Sequence, residues 1–144
     1  MSLKFCIALA GCLGCSLAFG EACDVTTRPA SSQVPVVQTH ICYEYTGMPP
    51  GSIDWSCSNE DKSASPTDKR KVEVCPTGAL ASCSATLTQE TLANERSASR
   101  EPGQNTVQVP DAAQRITWYY QMEEQAQARI DCEQAGGKFS YPLK

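Results

Sequence analysis

Histidine occurs once in this chain, at position 40, and the 12 lysines and arginines are outnumbered by 16 acids. A single imidazole excludes a two-histidine metal site, and a Ser-His-Asp arrangement would have only this one ring to draw on. The formal net charge of −4 argues against nucleic acid as a partner, because phosphate binding is driven by clustered Lys and Arg. The one basic run, Lys69-Arg70-Lys71, follows Asp68 and precedes Glu73, and it reads as a solvated loop face. Aromatic residues are scarce, with two Trp, five Tyr and three Phe, so apolar burial alone is a thin basis for a stable core. There is no Gly-rich phosphate loop ahead of a helix and no calcium-loop spacing of acids, so no cofactor and no metal are expected.

What the chain does have is cysteine, nine in all. Residues 1–20 have the layout of a secretory signal peptide: one positive charge at Lys4, then an uncharged run over 5–19, and the small-x-small site Ala18-Phe19-Gly20. The run falls short of the roughly 20 apolar residues that span a bilayer. Cleavage before Glu21 suits this site, and a cut after Ala22 fits nearly as well. A rival reading takes Leu9-Ala10-Gly11-Cys12 as a lipobox, with Cys12 lipidated and the chain anchored to the membrane. The residues after Cys12 (Leu13, Leu17, Phe19) are still apolar, whereas a lipid anchor is usually followed by a polar tether, so a soluble exported protein is the preferred reading.

Removing 1–20 takes Cys6, Cys12 and Cys15 away and leaves Cys23, Cys42, Cys57, Cys75, Cys83 and Cys132. An even set in a small exported chain is a disulfide framework, whose connectivity the spacing leaves open. No Cys-x-x-Cys pair lies in that part of the chain, since the only such spacing is Cys12 to Cys15. The formal charge becomes −5 once Lys4 is gone.

Residues 21–39 form an extended lead, polar from Asp24 to Gln33 and including Val34-Pro35-Val36-Val37. Residues 40–144 form a single disulfide-stapled domain. Ile41, Tyr43 and Tyr45 alternate with Cys42, Glu44 and Thr46, the period of a half-buried strand. The breaker cluster Gly47-Met48-Pro49-Pro50-Gly51 ends it. Residues 52–59, with Ser52 as N-cap, fit a short helix or helical turn.

Residues 60–71 are polar, contain Pro66 and predict an exposed loop. Val72-Glu73-Val74-Cys75, the turn residues Pro76 and Gly78, and the run 80–87 predict a hairpin, across which a Cys75–Cys83 bridge is sterically reasonable. Residues 88–105 are the candidate flexible excursion, with a weak helix over 89–98. Val107 and Val109 open a further extended segment, in which Ile116, Trp118 and Tyr120 alternate with Thr117 and Tyr119. Residues 122–135 predict a helix with Glu123 and Glu124 in its first turn, Arg129 later and Gly136-Gly137 as its stop. Cys132 would tie that helix to the sheet, and Phe139 and Tyr141 mark a last short strand.

Cys42-Tyr43-Glu44-Tyr45, Cys57, Cys75-Pro76, Gly78 with Cys83, Trp118-Tyr119-Tyr120, and Cys132 followed by Gly136-Gly137-Lys138-Phe139 form a pattern over about residues 40 to 140. It resembles small exported Cys-rich proteins and predicted lipoproteins of Gram-negative bacteria. The resemblance implies export and disulfides, and it implies no activity. After Cys57 the chain departs from the pattern, with Ser58-Asn59-Glu60-Asp61 in place of Gly-Gly and an aromatic.

Function is read as follows. His40 takes a structural or surface role. Glu123 and Glu124 serve the helix dipole, because adjacent helical residues point about 100° apart and cannot flank one bond. Trp118 and Tyr120 share a strand face while Tyr119 points the other way; they either pack under the helix or present an aromatic contact to a partner protein or glycan. The expected fold is α+β, a small antiparallel sheet covered on one face by the C-terminal helix. The expected function is a non-catalytic protein, periplasmic or secreted, that binds another molecule or serves the cell envelope structurally. The alternatives are a secreted enzyme inhibitor or immunity-like protein and, behind it, a hydrolase using carboxylates alone.

Overall fold

The computed structural model describes residues 20–28, 39–59, 67–92, 108–122 and 124–142. Among the described residues, six strands and two helices follow one another as β1 (Glu21–Thr27), β2 (Thr39–Thr46), β3 (Thr67–Val72), β4 (Ala81–Thr86), α1 (Gln89–Leu92), β5 (Gln114–Tyr119), α2 (Gln125–Gln134) and β6 (Lys138–Ser140). The strands form one sheet in the order β3-β1-β2-β5-β4-β6, with every neighbouring pair antiparallel. The helices span only 4 and 10 residues. The expected antiparallel sheet and C-terminal helix are both present, but the protein is mostly sheet rather than α+β.

Register divides the side chains between two faces. Asp24, Cys42, Arg70 and Trp118 are cross-strand partners on one face, and Cys23, Tyr43, Lys71 and Thr117 on the other. The second face carries most of the apolar core: Cys23, Val25, Tyr45, Ile53, Cys57, Leu87, Leu92 and Ala113 in one cluster, and Ala81, Cys83, Cys132 and Phe139 in another. Helix α2 packs on this face at its β4–β6 end, where Phe139 meets Tyr119 at 6.2 Å between ring centres. Helix α1 is short, yet its entry is capped on both sides. The Thr91 amide donates to Thr88 Oγ1 at 3.2 Å and the Thr88 amide to Thr91 Oγ1 at 2.9 Å, a reciprocal arrangement like a capping box that seats Leu92 in the core.

Several expectations are corrected here. Residues 21–27, expected as a lead ahead of the domain, form an interior strand flanked by β2 and β3. Residues 67–71, expected in a loop, belong to edge strand β3. Its cations alternate between faces: Arg70 meets Asp24 at 3.2 Å on one side, while on the other Lys71 pairs with Glu21 at 2.9 Å and with Asp54, and Lys69 Nζ donates to the Ser56 carbonyl at 3.2 Å. A strand that must keep other chains off its open edge favours such charges. The Asn59 amide caps the same strand by bonding both the Lys69 carbonyl and the Lys69 amide, at 2.8 and 2.9 Å.

The expected 72–87 hairpin does not form. β3 lies at one edge of the sheet and β4 beyond β5, so residues 73–80 cross the face that carries Cys42. The suggested Cys75–Cys83 bridge is likewise replaced. The three disulfides are Cys23–Cys57, Cys42–Cys75 and Cys83–Cys132, with Cα atoms 5.7, 5.8 and 5.9 Å apart; Cys75 and Cys83 bond on opposite faces. Disulfides of this density point to oxidising surroundings, compatible with an exported protein. Among the described residues no helix is long and apolar enough to cross a membrane.

Residues 52–57 form turns, with one helical bond from the Cys57 amide to the Ile53 carbonyl at 2.8 Å. Ser52 does not act as an N-cap acceptor; its hydroxyl donates to the Pro49 carbonyl. Helix α2 starts at Gln125, with Glu124 as N-cap and no acid in its first turn. The Cys12 lipobox and the rest of 1–19, Val34 to Val37, residues 60–66, 93–105, Val107 and Glu123 lie outside the described residues.

The end of α2 explains the paired glycines. The Gly136 amide donates to the Glu133 carbonyl and the Gly137 amide to the Cys132 carbonyl, at 3.0 and 2.8 Å, with Gly136 at φ +76°; this is a Schellman closure. A Cβ on Gly137 would sit 2.8 Å from Cys83 Sγ and 2.9 Å from both Cys132 Sγ and the Cys132 carbonyl oxygen, whereas one on Gly136 meets nothing within 4 Å. Gly136→Ala is therefore expected to cost about 1–2 kcal/mol through backbone conformation. Gly137→Ala should cost more and lower the yield of the Cys83–Cys132 bridge. Denaturant unfolding with thiol counting checks both, and equal behaviour of the two variants would contradict the steric account.

Candidate functional site

The face crossed by residues 73–80 is the polar one, and it gathers the residues with chemistry. Asp24 sits directly opposite Arg70 on β3 and Cys42 on β2, and His40 lies one diagonal step away, within the reach of long side chains across a sheet. His40 Nε2 is 2.7 Å from Asp24 Oδ1, and Arg70 Nη2 is 3.2 Å from Asp24 Oδ2. The carboxylate is thus held on both oxygens, with its side chain only 10% exposed. In the neutral tautomer that donates from Nε2 to Asp24, Nδ1 is the ring nitrogen able to accept from a ligand.

Tyr120 stacks on the imidazole, ring centres 4.4 Å apart and planes 23° from parallel. Its amide donates to the His40 carbonyl at 3.0 Å, which extends the β2–β5 pairing one residue beyond β5. The Tyr120 hydroxyl donates to the Pro76 carbonyl, so it fastens the crossing segment beside the Cys42–Cys75 bridge. Trp118, opposite Cys42, donates from its indole nitrogen to Glu44 Oε2 at 2.9 Å. Ala22, Cys42 and Cys75 form a small buried cluster beneath, with Val72, Trp118 and Tyr120 packed against it.

The structure therefore separates the three aromatic residues picked out in the sequence. Tyr119 packs on the core face beside Phe139, near the helix, and Trp118 and Tyr120 lie half-buried on the other face. The helix does not cover Trp118 and Tyr120. All six cysteines of the expected framework are paired. Sequence reasoning missed Asp24 and Arg70 as partners of His40, because neither β1 nor β3 was recognised as a strand. The signal was present in the alternation of Asp68, Arg70 and Val72 with Lys69 and Lys71, which is compatible with one edge strand.

Chemically, the cluster offers a carboxylate-oriented imidazole, a guanidinium and two aromatic surfaces. A hydrolytic triad also needs a nucleophile at the free imidazole nitrogen. The His40 side chain bonds Asp24, and its carbonyl accepts from the amides of Tyr120 and Gln121. No group of three or more His, Cys, Asp or Glu among the described residues is placed to hold a metal ion. Set beside known proteins, the chain matches no family model, no curated protein and no solved structure.

Burial raises the Tyr120 phenol above its ordinary value near 10, and the charges of Asp24 and Glu44 add to the shift. Tyr119 is also raised, chiefly by burial, with Arg115 opposing and Asp131 reinforcing the effect. A folded-state value above the unfolded one means the phenols contribute stability that is fully present below pH about 10 and lost as pH rises through the folded values. Absorbance titration of the five tyrosines should show a component displaced above the ordinary range, from which Tyr119→Phe and Tyr120→Phe each remove one group. Asp24→Ala removes the partner of the partly buried His40 imidazole, while the largely exposed Arg70 stays solvated, and should lower stability by about 1 kcal/mol at neutral pH. A denaturant midpoint unchanged in that variant would contradict the network.

Proposed function

We propose that the chain is a small exported protein, periplasmic or secreted, that acts without catalysis by binding another molecule of the cell envelope or extracellular space. The observation that carries this reading is the difference between the two faces. Among the described residues, the apolar face is closed by α1, α2 and the 51–57 turns, whereas the polar face is crossed by the segment 73–80. Trp118, Tyr120, His40, Arg70 and Glu44 are left partly open there. Half-buried aromatics beside charged groups, held by disulfides and cross-strand bonds, supply rigid contact area at low entropic cost. The resemblance to small exported Cys-rich proteins of Gram-negative bacteria supports the same reading and adds no activity. The partner is a protein or a glycan, and the acidic balance of the chain makes nucleic acid a poor candidate.

Immobilised, fully oxidised protein incubated with envelope extract should retain a partner at a stoichiometric level. Trp118→Ala should weaken retention roughly 30-fold, the effect of losing an anchor worth about 2 kcal/mol, and Ile130→Ala on α2 should leave it unchanged. Retention by the Trp118 variant at full strength would contradict the assignment of the face. If the captured partner is an enzyme that loses activity in the complex, the inhibitor reading replaces the envelope-binding one.

A further inference from the structure

We infer that the mature chain begins at Glu21, and that the peptide bond between Gly20 and Glu21 is the processing site. This rests on the export reading above and resolves a choice the sequence leaves open, since Ala18-Phe19-Gly20 and Gly20-Glu21-Ala22 both suit cleavage. Leader removal acts on an unfolded chain, so the sheet does not guide the cut. The sheet instead decides which product can complete the fold.

Glu21 and Ala22 are structural residues of β1. Glu21 Oε1 accepts from the Gly51 amide at 2.7 Å and pairs with Lys71 at 2.9 Å, and the same ammonium reaches Asp54. This ties the first residue of the strand to the 51–57 turns and to β3. Ala22 is fully buried, packed in the cluster of Cys42 and Cys75, and paired with Glu44 on one side and Val72 on the other. A cut after Ala22 removes all of these contacts.

The two cuts also place a new positive charge differently. Cleavage after Ala22 puts an α-ammonium on Cys23, which is 2% exposed and bonded to Cys57; a buried charge without a partner is costly. Cleavage after Gly20 puts it on Glu21, at the margin of the sheet. The earlier cut therefore places no new charge at the buried Cys23.

The test is export of the full chain from a Gram-negative host, followed by N-terminal sequencing and intact mass of the protein from the envelope and medium fractions. The expected product starts at Glu21, lacks residues 1–20, and is lighter by two hydrogens for each of the three bridges. A folded, exported product that starts at Cys23, or at an acylated Cys12, would overturn this inference and leave the export reading standing. A chain that keeps residues 1–20 and free thiols inside the cytosol would overturn the export reading itself.

Discussion

Three segments that lie against this sheet are fastened to it by sulfur-sulfur bonds, and the rest of the structure depends on that; α1, which carries no cysteine, is seated by Leu92 instead. Cys23 on β1 holds the 51–57 turns, Cys42 on β2 holds the 73–80 crossing, and Cys83 on β4 holds α2. In two of the three segments the cysteine is the only buried residue: Cys132 in α2 and Cys75 in the crossing, where Val74 and Leu80 are 73% and 49% exposed. A single buried side chain contributes roughly 1.5–3 kcal/mol, whereas ordering backbone costs about 1–2 kcal/mol per residue before hydrogen bonding offsets it. Burial alone does not hold such segments in place. Closing chain separations of 34, 33 and 49 residues restricts the unfolded ensemble by about 4 kcal/mol per bridge in the chain-entropy model.

The bridges work with the register of the strands. Cys23 and Cys83 project from one face and Cys42 from the other, so both sides of the sheet are stapled. The two glycines after α2 belong to the same device. One closes the helix in a left-handed conformation, and the other leaves room for the Cys83–Cys132 sulfurs. The basic run of β3 completes it, with Lys69 and Lys71 clasping the 51–57 turns and Arg70 turning to Asp24.

Legibility in the sequence followed apolar periodicity. β2 and β5 announce themselves through Ile41, Tyr43, Tyr45 and Ile116, Trp118, and the closing helix through its paired glycines. β1 and β3 do not, because Glu21–Thr27 holds little apolar residue beyond Ala22, Cys23 and Val25, and Thr67–Val72 is dominated by charge. Their strand state comes from neighbours that supply the other half of each hydrogen-bond ladder, a tertiary effect that local propensity does not carry. The six cysteines were identifiable as a set, but their pairing depended on which face each strand turns to which segment. The Asp24–His40–Arg70 cluster was hidden for the same reason, since two of its three members lie on the unrecognised strands.

The central claim is that covalent cross-links, more than apolar burial, position the coverings of the sheet. Disulfide mapping by proteolysis and mass spectrometry, repeated as the bridges are reduced one at a time, tests it most directly. The account predicts the pairs 23–57, 42–75 and 83–132, with protease access appearing first in the segment whose own bridge has opened. Different pairs, or a fully reduced chain that resists protease as well as the oxidised one, would contradict it.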